Sequence, residues 1–240
     1  MSLDILIVVI ITSFIQSIFG VGVLLFGTPL LLLLGYHFIQ AVSILLPISL
    51  VINIFQITKD YRKVDLDFYK KILLYTIPFV VIFLFVVTKI EINIGIIIGC
   101  FLLLVAAKNY SARINEVIKS LVKYERIYFM TMGIIHGLTN LGGSLLTAIV
   151  HGKDYEKNVT RVTVAVSYAT FALFQIITLV ASGYSFDMGL SGIGIYLVIG
   201  IVIFVLTEKI VYMDINNQNY SKSFAAFLLI SGLLLCFKSI

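Results

Sequence analysis

From Ile5 to Thr58 the chain carries no Asp, Glu, Lys or Arg. Such a stretch has no charge to set against water, so its length decides the class of fold. The stretches 72–88, 92–107, 127–150, 162–186, 188–207 and 223–237 are equally free of those four residues. Runs of roughly 17–25 apolar residues cross hydrocarbon as helices, because a segment in lipid must satisfy its own backbone hydrogen bonds. With 60% hydrophobic and 12% charged residues, the composition excludes an ordinary soluble domain. The expected fold class is an all-α polytopic membrane protein.

Several function classes drop out at once. No basic region precedes the first apolar run, which opens with Ser2-Leu3-Asp4, so no cleaved signal peptide is expected. Cys100 and Cys236 both lie in apolar segments and have neither metal spacing nor a disulfide framework. The net charge of +5 comes from short loops, not from a nucleic-acid-binding face. The sequons at Asn109 and Asn158 carry no weight in this setting. The spans hold no His-Glu or Cys-His cluster, no paired carboxylates and no nucleophile-base spacing. An enzyme is therefore disfavoured, and no catalytic residue, metal or cofactor is expected.

Orientation follows from Lys and Arg, which concentrate in 59–71, 108–126, 151–161 and, more weakly, 208–222. The connections 35–39, 89–91 and 183–190 are nearly free of them. The positive-inside rule puts the first group in the cytoplasm. With both 108–126 and 151–161 inside, residues 127–150 must form a hairpin of two short helices; the same logic bends 3–35, with both of its ends outside. The rival threading counts 127–150 as one span, gives parallel four-helix repeats and leaves the basic loop 151–161 outside. Within 108–126, Ile114, Val117, Ile118, Leu121 and Val122 have near-helical spacing. An amphipathic surface helix and a solvated linker both fit that spacing.

The sequence also recurs. Residues 15–22, Ile-Gln-Ser-Ile-Phe-Gly-Val-Gly, line up with residues 135–142, Ile-His-Gly-Leu-Thr-Asn-Leu-Gly. Phe55-Gln56-Ile57 lines up with Phe174-Gln175-Ile176. The N-terminal repeat is then 1–107, with hairpin 3–35 and spans 40–58, 68–88 and 92–107. Residues 108–126 form a cytoplasmic linker. The C-terminal repeat is 127–240, with hairpin 127–150 and spans 160–182, 189–207 and 223–238. Each repeat is a broken-helix hairpin plus three transmembrane helices, and the two run in opposite directions. Inverted repeats with interrupted helices are the plan of secondary transporters, whose substrate sites form at the breaks.

Gly20, Gly22 and Gly27, followed by Thr28-Pro29, predict a break over Gly20–Thr28 and a new helix from about Pro29 to Leu34. Asn140, Gly142, Gly143 and Ser144 predict the second break. Two helix N-termini aimed at one point make an anion site without a buried cation. The alternative is that these glycines only allow close helix packing. Gln16, Asn53, Gln56, Thr139, Asn140, Ser144 and Gln175 are polar residues inside uncharged segments, where they need partners or a cavity. Asn53 and Gln56 share a helix face. His136, aligned with Gln16, suits either a proton relay or a neutral hydrogen-bonding role. His37 and His151 lie at loop edges. Arg161 and Lys157 flank the inner mouth, where they either steer anions or serve as topology signals. Gly142→Leu is expected to abolish transport while leaving the protein folded.

With Phe19-Gly20-Val21-Gly22, Gly27-Thr28-Pro29 leading through five leucines to Gly35, and Gln40-Ala41-Val42-Ser43 in the first half, and Gly133 to Ser144 in the second, the chain resembles the sulfite exporter TauE/SafE family of membrane permeases. It departs from that pattern in having fewer glycines at 20–23 and no proline at Ile149. The resemblance implies export or uptake of a small sulfur-containing anion across the bacterial inner membrane. The expectation is an alternating-access carrier for sulfite or an organosulfonate, embedded in the bilayer, with no nucleic-acid partner and with room for a homo-oligomer. Its binding residues would be Gln16, Gly20, Gly22, Gly27, Thr28, Asn53, Gln56, His136, Thr139, Asn140, Gly142, Gly143, Ser144 and Gln175. The rival functions are a channel-like pore and a non-transporting assembly subunit.

Overall fold

The computed structural model describes residues 2–90, 93–107, 123–151, 153, 155–184, 190–211 and 217–239. Among them there is no strand. Residues 108–122, for which the sequence left a surface helix and a solvated linker both open, lie outside the described residues. The helices, in chain order, are α1 (Leu3–Phe19), α2 (Val23–Leu33), α3 (Phe38–Asp60), α4 (Leu66–Lys71), α5 (Ile77–Lys89) and α6 (Ile94–Ala107), followed by α7 (Glu125–Thr139), α8 (Gly143–His151), α9 (Lys157–Ala181), α10 (Leu190–Val211) and α11 (Asn217–Ser239). Three continuous stretches, Phe38–Lys63, Leu66–Lys89 and Lys157–Ala181, are long and apolar enough to cross a membrane. The shorter apolar helices include Val23–Leu33 and Ile94–Ala107.

α3 packs along α9, and this pair forms the middle of the bundle. α6 packs along α11, α1 along α10 and α7 along α5, while α2 leans on α3 and α8 on α9. Burial within α9 reverses the pattern of a soluble helix. Tyr168, Phe171 and Gln175 are buried, whereas Leu173, Ile177 and Val180 are exposed. Polar groups that need partners turn inward, and the aliphatic face is left for lipid. The chain is a multi-pass membrane protein.

Two local features set the bundle's shape. Pro78 lacks an N–H and crowds the preceding turn, and the chain absorbs it as a π-helical stretch, Ile72–Thr76, between α4 and α5. That stretch lets Thr76 Oγ1 donate to the Phe129 carbonyl of α7 at 3.1 Å. Gly133 and Gly137 then let the α7 backbone meet α5, since a Cβ on Gly137 would lie 2.8 Å from the Val80 carbonyl oxygen.

At one end of the bundle, polar contacts tie the connections together. Glu125 pairs with Lys71 and, at 3.2 Å, with Lys153. Tyr155 donates to Asp65, whose own backbone N–H donates to Thr163 Oγ1 at 3.2 Å. Burial works against ionisation of Asp65, but the Phe68 N–H and the Tyr155 hydroxyl outweigh it and hold the carboxyl below its usual range. Burial, helped by the Asp65 carboxylate, pushes the Tyr155 hydroxyl up.

Candidate functional site

The first break is short. α1 ends at Gly20 in the left-handed conformation (φ 73°), with its N–H on the Gln16 carbonyl at 2.9 Å. α2 begins only three residues later, at Val23. The expected break over Gly20–Thr28 is therefore corrected to Gly20–Gly22, and the helix predicted from Pro29 starts before it. The reason is Gln16, whose Oε1 accepts the Val23 N–H at 2.9 Å and so caps α2 from outside the helix. Pro29 sits inside α2, where neighbouring helices in a membrane bundle make it tolerable. Gly27 belongs to the packing between α2 and α3, since a Cβ there would lie 2.9 Å from the Leu45 methyls.

The second break follows the same plan. α7 ends at Asn140, also left-handed (φ 63°), with its N–H on the His136 carbonyl at 2.8 Å. Asn is one of the few non-glycine residues that accept this conformation. α8 begins three residues later, at Gly143. The two close-approach glycines match as well. A Cβ on Gly22 would lie 2.6 Å from the Gln16 nitrogen and 2.8 Å from the Thr12 carbonyl oxygen. A Cβ on Gly142 would lie 2.5 Å from the His136 Cβ and 2.7 Å from the Met132 carbonyl oxygen. Each glycine thus lies against the residue six before it and the carbonyl ten before it. Gly143 has the Tyr168 ring where a Cβ would be. Gly142→Leu is consequently expected to disturb the backbone itself, and it does not isolate transport as the sequence suggested.

Side chains from α3 and α9 complete both breaks. Gln16 Nε2 donates to Asn53 Oδ1 at 3.2 Å and to Gln56 Oε1 at 3.5 Å, and Asn53 is anchored by donating to the Ser49 carbonyl at 2.7 Å. Across the bundle His136 Nε2 meets Gln175 Oε1 at 3.1 Å. The residue pairs 16–56 and 136–175 are thus the same contact made twice. Asn140 Nδ2 donates to Thr28 Oγ1 at 2.9 Å and joins one hairpin to the other. Thr139 and Ser144 turn back on their own backbone, with Thr139 Oγ1 on the Ile135 carbonyl at 2.6 Å and Ser144 Oγ on the Leu141 carbonyl at 3.0 Å. They shape the break and leave no hydroxyl hydrogen for a ligand.

All of these polar side chains are buried, including Gln16, Asn53, Gln56, His136, Asn140 and Gln175. Four of their polar atoms, Gln56 Nε2, Gln175 Nε2, His136 Nδ1 and Asn140 Oδ1, have no hydrogen-bond partner. Open, buried amide donors are costly, and an anion between them would satisfy them. Among the described residues no three His, Cys, Asp or Glu side chains gather as a metal would require.

One functional cluster was only half visible in the sequence, which singles out Arg161 at the inner mouth but not Glu208. Glu208, assigned there to the loop 208–222, lies on α10, is only 4% exposed, and pairs with both Lys59 of α3 and Arg161 of α9. Arg161 packs at the first break, its Cγ 3.7 Å from the position of a Gly20 Cβ, beside the Gln56 amide at 3.8 Å. The available signal was a lone acid and a lone base at the rims of uncharged segments, the places where topology signals also sit. An ionisable side chain buried among membrane helices marks a functional site by default.

No match was found among the curated proteins or the solved structures. The family model for the sulfite exporter TauE/SafE matches residues 5–235, nearly the whole chain and both broken hairpins with it, and the chain accordingly belongs to the sulfite exporter TauE/SafE family.

Proposed function

We propose that the chain is a secondary carrier for a small oxyanion, sulfite or an organosulfonate, working by alternating access around the two breaks. The observation that carries this reading is the twofold occurrence of one device. In each half a helix ends in a left-handed residue, a glycine lies against the turn before it, and a glutamine from α3 or α9 holds the residue aligned at 16 or 136. Gln56 and Gln175 would each give an amide N–H to the anion from opposite sides, and Arg161 would add charge, releasing Glu208 to Lys59 as the substrate arrives. The pairing of helices supports two related repeats, 1–107 and 127–240: α3 with α9 and α6 with α11 are self-matched, and α1 with α10 mirrors α7 with α5. The Glu125–Lys153 and Tyr155–Asp65 contacts support a shared cytoplasmic face for the connections 59–71, 108–126 and 151–161, with 208–222 beside them, and so favour inverted over parallel repeats. An inner-membrane location follows from the same reading.

A carrier is favoured over a channel-like pore because the polar set is sealed by its own helices, so a solute reaches it only when they move. The test is uptake of labelled sulfite, and of a short organosulfonate, into proteoliposomes preloaded with unlabelled anion. Gln56→Leu is the informative variant, because Gln16 keeps its bond to Asn53. Saturable counterflow that is lost in Gln56→Leu supports the carrier; unsaturable flux without counterflow means a pore.

A further inference from the structure

A second candidate site lies away from the breaks, where α4 meets the start of α7. It is a groove of about 770 Å³ with Lys70, Lys71, Lys123 and Arg126 on its walls against a single carboxylate, Glu125. That carboxylate is already taken by Lys71 and Lys153. Among the described residues Lys70 has only the exposed Asp67 as an acidic partner. Arg126 lies over the Tyr75 ring with its guanidinium carbon 5.8 Å from the centroid, and neither it nor Lys123 pairs with a carboxylate among the described residues. The groove therefore carries net positive charge at the end of the bundle where the basic connections gather. Its other half is apolar: Leu74 and Ile127 line it, and both are exposed on the outer surface of the bundle.

Unspent cations above exposed aliphatic side chains, at the end of membrane helices, match a molecule with an anionic head and a hydrocarbon tail. A free oxyanion would use the cations but not the apolar wall, which opens toward the bilayer. We propose that this groove binds the phosphodiester head of an anionic phospholipid between Lys123 and Arg126, with an acyl chain along Leu74 and Ile127. The lipid would fill the junction between α4 and α7 next to the Glu125 clamp and bind the two halves of the chain together there. This assignment is independent of what the breaks transport.

The test is made on the full-length purified protein in neutral detergent, titrated with phosphatidylglycerol or phosphatidylcholine while thermal unfolding and lipid retention by native mass spectrometry are followed. Phosphatidylglycerol is expected to raise the unfolding midpoint and stay bound, with phosphatidylcholine doing neither. Lys123→Gln, at an exposed side chain outside the packed core, should weaken phosphatidylglycerol binding about fivefold, and Lys123→Gln with Arg126→Gln at least tenfold. Equal stabilisation by phosphatidylcholine, or undiminished phosphatidylglycerol affinity in the folded Lys123→Gln protein, would overturn the proposal. So would an equal shift from inorganic phosphate or glycerol phosphate, which would mean a free-anion site. A self-association that Lys123→Gln abolishes, with no lipid retained, would reassign the groove to a second copy of the chain.

Discussion

The breaks at Gly20–Gly22 and Asn140–Gly142 have the same backbone and differ in how completely their polar groups are paired. At the first, Gln16 caps Val23 and reaches both Asn53 and Gln56, so one amide serves three partners. At the second, His136 has the single bond to Gln175, and His136 Nδ1 and Asn140 Oδ1 are left open. The ion cluster of Arg161, Glu208 and Lys59 stands beside the first break only. Among the described residues, one break is thus the more fully paired, with Gln56 Nε2 left open and an ion cluster at its edge, and the other is the more open, with no ion cluster beside it. Identical backbone geometry does not imply identical pairing: each break keeps one amide donor open, Gln56 Nε2 or Gln175 Nε2, and the second leaves His136 Nδ1 and Asn140 Oδ1 open besides.

The largest expected contrast is the charge. Arg161→Leu leaves the buried Glu208 with Lys59 alone and is expected to cost about 3 kcal/mol in unfolding free energy. The double variant Arg161→Leu with Glu208→Leu should regain most of that. Chemical denaturation of the reconstituted protein measures both; a harmless Arg161→Leu would remove the ion cluster from the account of the first break.

Next come the glycines, where the two breaks should behave alike. Gly22→Ala and Gly142→Ala each force a Cβ to within 2.5–2.6 Å of the preceding turn, and each is expected to cost about 1–3 kcal/mol. Thermal unfolding that punishes one and spares the other would break the equivalence of the two backbones.

The polar side chains should then separate the breaks. Gln16→Leu strands the Val23 N–H and the side-chain oxygens Asn53 Oδ1 and Gln56 Oε1, for about 2 kcal/mol or more, whereas His136→Leu strands Gln175 Oε1, for about 1 kcal/mol. His136→Gln, which copies the residue used at the first break, should unfold close to the wild-type temperature. A larger loss from His136→Leu than from Gln16→Leu would invert the comparison.

The smallest effect is acid sensitivity at the connections. The hydrogen bond from Lys71, opposed by burial and helped by Lys153, holds the Glu125 carboxyl below its ordinary value of 4.5. Its contribution to stability is therefore complete above 4.5 and lost as pH falls through the lowered folded-state value. Glu125→Gln should flatten the acid limb of the melting curve; an unchanged limb would show that the clamp contributes nothing.

How much of this could be read from the residues depends on whether the cause is local. The helices lie on the uncharged segments, because hydrocarbon admits only backbone that pairs with itself. The glycines at 20, 22 and 142 were visible as breaks, since few residues accept a left-handed turn or a backbone that close. The extent of the first break is not legible locally, because proline signals a helix start, while the true start at Val23 is set by Gln16, seven residues earlier. Gly27 reads as part of the break for the same reason, yet it faces Leu45 across a helix pair. Glu208 was the hardest to see, because its burial arises from α10 docking on α1 and α3, far apart in sequence. Next to Lys209, an acid at the end of an apolar run reads as loop; only the fold brings it to two cations.

The central claim is that the two breaks serve one anion. Equilibrium binding of sulfite to the purified protein, compared among wild type, Gln56→Leu and Gln175→Leu, tests it most directly. Each variant removes one buried amide donor, from α3 or from α9, and each is expected to weaken binding about tenfold or more. Loss in both variants by a similar factor is the predicted result. Loss in only one, or in neither, with both proteins folded, would contradict a shared site.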